Sequence, residues 1–326
     1  MRLAVVLNSS AGTLAGMHVV DAVAVVERGF QAAGHEVTCV ATPGEDIEQA
    51  ITKATHGDAE VVVVGGGDGT IATAARLLTR SDKALGILPL GTMNLLAKDL
   101  AIPLELEAAV TALAEGDIIA IDAGEVNGRP FLNNSVIGLY PRMVEEREKK
   151  RAETGMRKWP AMGLAAWHAL TDFKRLEVQV DFGEGPKRLK TPVLAVANNV
   201  YDDDFGEFIR RHSLAEGVLG VYVAKHRGAA RFLRMAARLV LGGWQADPNL
   251  DVYRAQTLTV HANRPKLRVA NDGEIHDMWT PLHYRVLPGA LKVLAPRKAV
   301  GDVAPEAEPV LDTAAAPPAA PVARTA

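Results

Sequence analysis

A chain of 326 residues with 48% hydrophobic and 23% charged side chains is long for one core and suits two domains of a globular protein. Its net charge of −3 gives no global pull toward nucleic acid, which is not expected as a partner, or toward an anionic membrane, so any such attraction must come from a local patch. The single cysteine, Cys39, rules out an intramolecular disulfide and suits a reducing cytoplasm. The apolar run at residues 3–7 stops at Asn8-Ser9-Ser10-Ala11-Gly12, short of a signal-peptide core, and no stretch approaches the ~20 apolar residues that cross a bilayer.

In chain order, Arg2–Leu7 reads as a strand, Gly16–Ala33 as a helix, Glu36–Ala41 as a strand and Asp46–Thr55 as a helix. Val61–Val64 is a buried strand, Ile71–Thr79 a helix and Leu85–Leu88 a second buried strand, followed by helices at Leu95–Leu100 and Glu105–Gly116. This alternation predicts a parallel, Rossmann-like α/β sheet with helices on both faces over residues 1–123. Ligands of such a sheet sit outside the C-terminal strand ends, where the Asn8–Gly12, Thr42 and Gly65–Thr70 loops fall.

From Ile118–Ala123 onward the pattern changes. Short alternating or β-branched segments at Glu177–Phe182, Thr191–Asn198, Val218–Ala224, Thr257–Ala262, Lys266–Val269 and His283–Leu287 predict a mainly antiparallel second domain over 124–297. Whether the last strand returns to the first domain is left open. Helical insertions are expected at 142–174 and 227–242. The Ala/Pro-rich stretch 298–326 has almost no large apolar side chain and is expected to form a disordered tail.

The most informative stretch is Val61-Val62-Val63-Val64-Gly65-Gly66-Gly67-Asp68-Gly69-Thr70. A strand, three glycines that admit positive φ and a helix start together make a phosphate cradle, because the first amides of a helix are free to hold an anion. Asp68 adds a carboxylate near a magnesium nucleotide. The spacing is neither that of a P-loop, which needs a Lys, nor that of the Gly-x-Gly-x-x-Gly dinucleotide fingerprint. On Cys39, in the strand around His35–Val40, a small buried side chain is expected rather than a reactive thiol.

Gly66-Gly67-Asp68-Gly69-Thr70 resembles the signature of the diacylglycerol kinase, sphingosine kinase and NAD kinase superfamily. Pro89-Leu90-Gly91-Thr92-Met93-Asn94 is similar to the second block of the lipid kinases and disfavours an NAD kinase. Asn271-Asp272-Gly273-Glu274 matches the family's catalytic segment, and the ending Val286–Pro296 is also typical, so the resemblance runs over residues 1–297. It implies a C-terminal β-sandwich, an active site in the interdomain cleft, ATP as phosphoryl donor and Mg2+. It also implies nucleotide contacts from Asn8, Ser9, Ser10, Ala11, Gly12, Thr42, Gly65, Gly66, Gly67, Asp68, Gly69, Thr70, Thr92 and Asn94. For the base that takes the lipid hydroxyl proton, Asp272 is the first choice, with Glu274 and Asp68 as alternatives. Asp68, Asp122 and Glu216 are the candidate metal residues.

Three positions depart from the family pattern. Leu95 follows Asn94 where an aspartate is usual, Glu216-Gly217 stands where some bacterial members place an aspartate for a structural magnesium, and the acidic loop Asp202–Glu207 replaces a glycine-rich one. The resemblance implies a cytoplasmic, peripherally membrane-associated lipid kinase, with diacylglycerol the leading acceptor. A sphingoid-base or phosphatidylglycerol kinase and a catalytically silent nucleotide- or lipid-binding protein are the alternatives. Membrane contact is expected through Arg227, Arg231, Arg234 and Arg238, a basic stripe at helical spacing, or through segment 142–159 with its basic residues and Trp159. A homodimer is left open.

Overall fold

A computed structural model of the chain describes residues 1–12, 18–138, 141, 176–183, 185–203, 210–211, 213–225, 238, 244 and 247–297. The helical insertions expected at 142–174 and 227–242, apart from Arg238, and the tail 298–326 lie outside the described residues. So do Arg227, Arg231 and Arg234 of the basic stripe, the whole of segment 142–159, and Asp204–Glu207 of the acidic loop.

The first part alternates as the pattern predicts: β1 (Arg2–Asn8), α1 (Val19–Ala32), β2 (Glu36–Thr42), α2 (Ile47–His56), β3 (Val61–Gly66), α3 (Asp68–Leu78) and β4 (Ala84–Pro89). Two further helices follow, α4 (Leu95–Asp99) and α5 (Leu106–Ala114). Strands β3 and β4 are buried at every position, which their unbroken apolar sequence requires of central parallel strands covered on both faces. Helix α1 turns Ala22, Val26 and Phe30 inward and α3 turns Ile71, Ala74, Ala75 and Leu78, both at the spacing of a single helix face. Cys39 lies half-buried on β2, where burial pushes its thiol up to about 12, the behaviour of a packing side chain.

The second part is built of strands: β5 (Asp117–Val126), β6 (Arg129–Phe131), β7 (Asn134–Gly138), β8 (Leu176–Asp181), β9 (Pro186–Thr191) and β10 (Val193–Asn198) come first. They are followed by β11 (Leu219–Ala224), β12 (Leu250–Ala255), β13 (Thr257–Ala262), β14 (Lys266–Asn271), β15 (Glu274–Trp279) and β16 (Leu282–Ala295). One sheet is antiparallel throughout, in the order β12-β11-β10-β7-β14-β15. It packs against β8, β13 and the start of β16 across a core containing Ile137, Val196, Val221 and Val269 on one side and Val178, Val180, Val260 and Tyr284 on the other. Sheet facing sheet over alternating inward residues is a sandwich.

The other sheet does not stop where the sequence pattern changes. Its order is β2-β1-β3-β4-β16-β13-β8-β9, with β5 paired to β16, so the parallel sheet of the first part and one layer of the sandwich are continuous. The join is β16, a single 14-residue strand where the sequence suggests a shorter one at His283–Leu287. Leu282, Tyr284 and Val286 enter the sandwich core, while Leu291, Val293, Leu294 and Ala295 enter the α/β core. The register of β16 against β5 shifts between Leu287 and Leu291, at Pro288-Gly289-Ala290, and this bulge lets one strand serve both cores.

A buried ion pair fastens the two parts beside that strand. Asp99, the last residue of α4, accepts from Arg211 Nη2 at 2.6 Å and Nε at 3.0 Å, with both side chains almost wholly excluded from solvent. Arg211 also donates to the carbonyl oxygens of Leu132 (2.6 Å) and Asn198 (3.1 Å) and to Asn133 Oδ1 (3.2 Å). Burial opposes the charge of the guanidinium, and Asp99 and its neighbours more than offset it, leaving Arg211 held above its ordinary value. Asp99→Ala would strand that charge, so we expect a loss of about 3–5 kcal/mol, read from the urea denaturation midpoint. The double variant Asp99→Leu/Arg211→Met should lose clearly less than either single change.

Candidate active site

Strands β1, β2, β3 and β4 run parallel and end together, with Asn8 beside Thr42, Leu7 beside Gly65, and Gly66 beside Pro89. The loops that follow are tied to one another. Asn8 Nδ2 donates to Thr70 Oγ1 at 3.0 Å, and Asn8 Oδ1 accepts from the Ser10 amide at 3.0 Å. The Ser9 amide donates to the Thr42 carbonyl at 2.9 Å, and Ser10 Oγ accepts from the Gly44 amide at 3.2 Å. Ala11 is buried, while Gly12 and Gly69 have open space around them. The structure therefore gathers Asn8–Gly12, Thr42 and Gly65–Thr70 at one edge.

The glycines of this loop act differently from the expected admission of positive φ. Gly65, Gly66 and Gly67 do not take left-handed angles, and Gly67 is extended at φ −87° and ψ 178°. What they supply is room: a Cβ on Gly66 would lie 2.5 Å from the Thr70 Cβ, and one on Gly91 would lie 2.5 Å from the Gly67 Cα. Two loops thus touch backbone to backbone. Helix α3 begins at Asp68, three residues before the apolar pattern starts, so its free first-turn amides belong to Asp68, Gly69 and Thr70.

Asp68 joins the two loops. Its Oδ2 accepts from the Asn94 amide at 3.0 Å and its Oδ1 from the Leu95 amide at 2.7 Å, so it caps the start of α4. Asn94 takes the left-handed angle φ 50° and closes its own loop, donating from Nδ2 to the Gly91 carbonyl and accepting at Oδ1 from the Gly91 amide, each at 2.9 Å. Thr92 is left exposed at the tip.

Across the cleft, Asp272 and Gly273 form the two-residue turn between β14 and β15, both with positive φ (46° and 86°). The expected base role for Asp272 meets a different geometry. Its Oδ2 accepts from the Leu132 amide (2.7 Å), and its Oδ1 accepts from the amides of Asn133 (2.8 Å) and Asn134 (3.0 Å). Burial pushes the Asp272 carboxyl up, against these three amides and Arg211, which pull it down. Glu274 is the exposed carboxylate of the turn, with Oε2 3.7 Å from His276 Nε2.

The three candidate bases line neighbouring parts of one cleft. Leu132 and Asn133, held by Asp272, share a small cavity with Asp68 and Asn94. Asp272 and Glu274 line the adjoining space with Ala72, Thr73 and Arg76 of α3. Asp99, Arg211, Leu132 and Asn133, which build this meeting point, carry no local signal in the sequence. Only the spacing of Asp99 five residues after Asn94 offers a hint.

The metal candidates do not converge with Asp68. Asp122 is buried, and its oxygens accept from the Gly217 amide (2.7 Å) and the Gly289 amide (2.9 Å), two glycines at positive φ. Glu216 is paired with Arg254. Asp122 thus pins the bulge of β16 to the Gly217 turn, and its donor set does not fit a resident metal. Among the described residues no three His, Cys, Asp or Glu side chains cluster as a metal site. Of the other expected sites, Arg238 pairs with Asp247 at 3.5 Å, and Asp203 accepts from the Trp244 amide at 2.7 Å.

Comparison with known proteins agrees with this fold. Residues 2–126 match the diacylglycerol kinase catalytic domain, and residues 142–295 match the YegS C-terminal NAD kinase beta sandwich-like domain. A diacylglycerol kinase of Bacillus subtilis (strain 168) is 26% identical over 257 residues, covering 77% of this chain and 82% of that one. A probable lipid kinase YegS-like protein of Yersinia pestis (strain Pestoides F) is 37% identical over 130 residues, covering 38% of this chain and 43% of that one. The chain spans 58% of a similar Synechocystis protein and 39% of the YegS-like protein of Yersinia enterocolitica, so it covers only part of several curated relatives. The crystal structure of a diacylglycerol kinase from Bacillus anthracis str. Sterne superposes with a TM-score of 0.68 at 16% identity, over 92% of this chain and 98% of that one, a likeness of fold.

The cap made by Asp68 has a measurable worth. Asp68→Ala should lower stability by about 0.5–2 kcal/mol, the cost of losing a helix N-cap, seen as a fall in the urea midpoint. Asp68→Asn keeps a side-chain oxygen acceptor and should lose less. A midpoint unchanged in Asp68→Ala would mean that α4 does not depend on this carboxylate.

Proposed function

Because the chain belongs to the diacylglycerol kinase catalytic-domain family, a family of lipid kinases, we propose that it transfers the γ-phosphoryl group of ATP to the free hydroxyl of diacylglycerol, giving phosphatidic acid. The observation that carries this reading is the direct joining of the Gly65–Thr70 and Gly91–Asn94 loops by Asp68, facing the Asp272–Glu274 turn across one cleft.

Phosphoryl transfer asks the protein mainly for positioning and for charge compensation around the phosphates. In this reading the Asn8–Gly12 loop, Thr42 and the first amides of α3 hold the nucleotide phosphates, and the α3 dipole favours their negative charge. Magnesium comes in with ATP as part of the donor complex. The lipid hydroxyl oxygen bonds to the γ-phosphorus as the bond from that phosphorus to the β–γ bridging oxygen breaks, and ADP leaves. The hydroxyl proton passes to a carboxylate within reach.

We assign that carboxylate to Glu274 rather than to Asp272. Both oxygens of Asp272 are occupied by backbone amides that fix the turn, whereas Glu274 is exposed and lies 3.7 Å from the His276 imidazole. Asp272 is then a positioning residue that sets the turn against Leu132–Asn134. In this reading the protein acts at the cytoplasmic face of a membrane as a peripheral protein; among the described residues no helix is long and apolar enough to cross one. Arg227, Arg231, Arg234 and Arg238, or segment 142–159, remain its proposed surface contact.

The assignment is tested with labelled ATP and diacylglycerol in mixed micelles. Glu274→Gln should cut kcat by about 10²–10⁴-fold while ATP binding stays near that of the native chain. Asp272→Asn should lower the urea midpoint as well as the activity, since it removes an acceptor from amides buried beside Arg211. Full turnover in Glu274→Gln would return the base role to Asp272.

A further inference from the structure

The space between α3 and the β14–β15 turn has a wall that the proposed transfer leaves without a task. Arg76 from the last turn of α3, Arg129 from the start of β6 and His276 from β15 line it together with Glu274. Three separate elements thus bring basic side chains to one hollow. Arg76 pairs with Glu48 at 2.7 Å yet keeps 39% of its side chain exposed, so its fork is not saturated. The guanidinium of Arg129 has no hydrogen-bond or ion-pair partner among the described residues. The negative charges in the hollow are Glu274, 3.7 Å from His276, and Asp272, whose oxygens already face three backbone amides.

We propose that Arg129, Arg76 and His276 form a phosphate-binding subsite beside Glu274. A guanidinium presents paired N–H donors that match two phosphate oxygens, and an imidazole edge can supply a third donor. Burial holds His276 below its ordinary value, and the Arg129 and Arg76 charges lower it further while Glu274 raises it. The existence of the subsite is independent of the kinase reading. Only the source of its phosphate rests on that reading: the phosphoryl group in transit from ATP, or the headgroup phosphate of a phospholipid acceptor.

The first arm of the test needs no catalysis. The full chain is titrated with inorganic phosphate at fixed pH and the His276 ring resonances are followed by NMR. A saturable shift is expected, with affinity about tenfold or more weaker in Arg129→Gln and partly kept in Arg129→Lys. No saturable shift in the native chain, or equal affinity in Arg129→Gln, would overturn the subsite. The second arm compares kcat/KM of the native chain and Arg129→Gln on diacylglycerol and on an anionic glycerophospholipid with a free headgroup hydroxyl. A loss confined to the phospholipid assigns the subsite to a headgroup phosphate, and a loss on both acceptors assigns it to the phosphoryl group in transit. Unchanged kcat/KM on both would remove the subsite from the reaction. If the native chain phosphorylates no lipid while phosphate still moves His276, the kinase reading fails and the subsite stands.

Discussion

The corner Leu132-Asn133-Asn134, running from the end of β6 into the first residue of β7, is the constraint on which the cleft depends. Backbone groups that leave a sheet inside a protein must find other partners, and an orphaned amide or carbonyl there is costly. Here the amides of all three residues go to the carboxylate of Asp272. The carbonyl of Leu132 goes to Arg211 and to Asn198 Nδ2, and Asn198 also donates to the carbonyl of Asp122. A carboxylate and a guanidinium therefore grip one corner from opposite sides. Arg211 keeps its charge in the interior because it ends on Asp99 at the end of α4, while the three amides and Arg211 oppose the burial that pushes the Asp272 carboxyl up.

This arrangement makes α4 the connecting rod of the molecule. Its first amides are capped by Asp68 from the glycine loop, and its last residue is Asp99. A five-residue helix is too short to be stable alone, so tertiary contacts at its two ends supply what propensity cannot. The geometry of the glycine loop is thus transmitted through α4 and Arg211 to the corner that Asp272 holds. This chain of contacts brings two carboxylates about 200 residues apart in sequence to one cleft. The second tie is β16, whose bulge is pinned by Asp122 through Gly289. One strand in two cores leaves little freedom for the α/β part and the sandwich to rotate apart.

The architecture of the first 116 residues was legible because each central strand is buried on both faces and so spells an unbroken apolar run, while each helix repeats its apolar residues at helical spacing. The loops of the candidate site were legible for the same local reason, since glycines, Asp68 and Asn94 sit directly at strand ends. The sandwich was less so. Strands β6, β9, β12 and β15 are short or mostly polar, as Pro186-Lys187-Arg188-Leu189-Lys190-Thr191 illustrates, and an edge strand with one solvated face carries little apolar signal.

Sequence by itself determined the fold class, the order of the motifs and which carboxylates stand near the Gly65–Thr70 loop, because those properties reside in neighbouring residues. Tertiary structure decided what each carboxylate does. Asp68, Asp122 and Asp272 look alike in sequence, each beside or near a glycine, yet each spends its oxygens on backbone amides from a distant segment. Glu274 alone of the turn's carboxylates stays exposed, and Arg129, far from it in the chain, arrives at the same hollow. Hydrogen bonds between segments this far apart depend on strand register and on the packing of α3 and α4. No stretch of neighbouring residues encodes either.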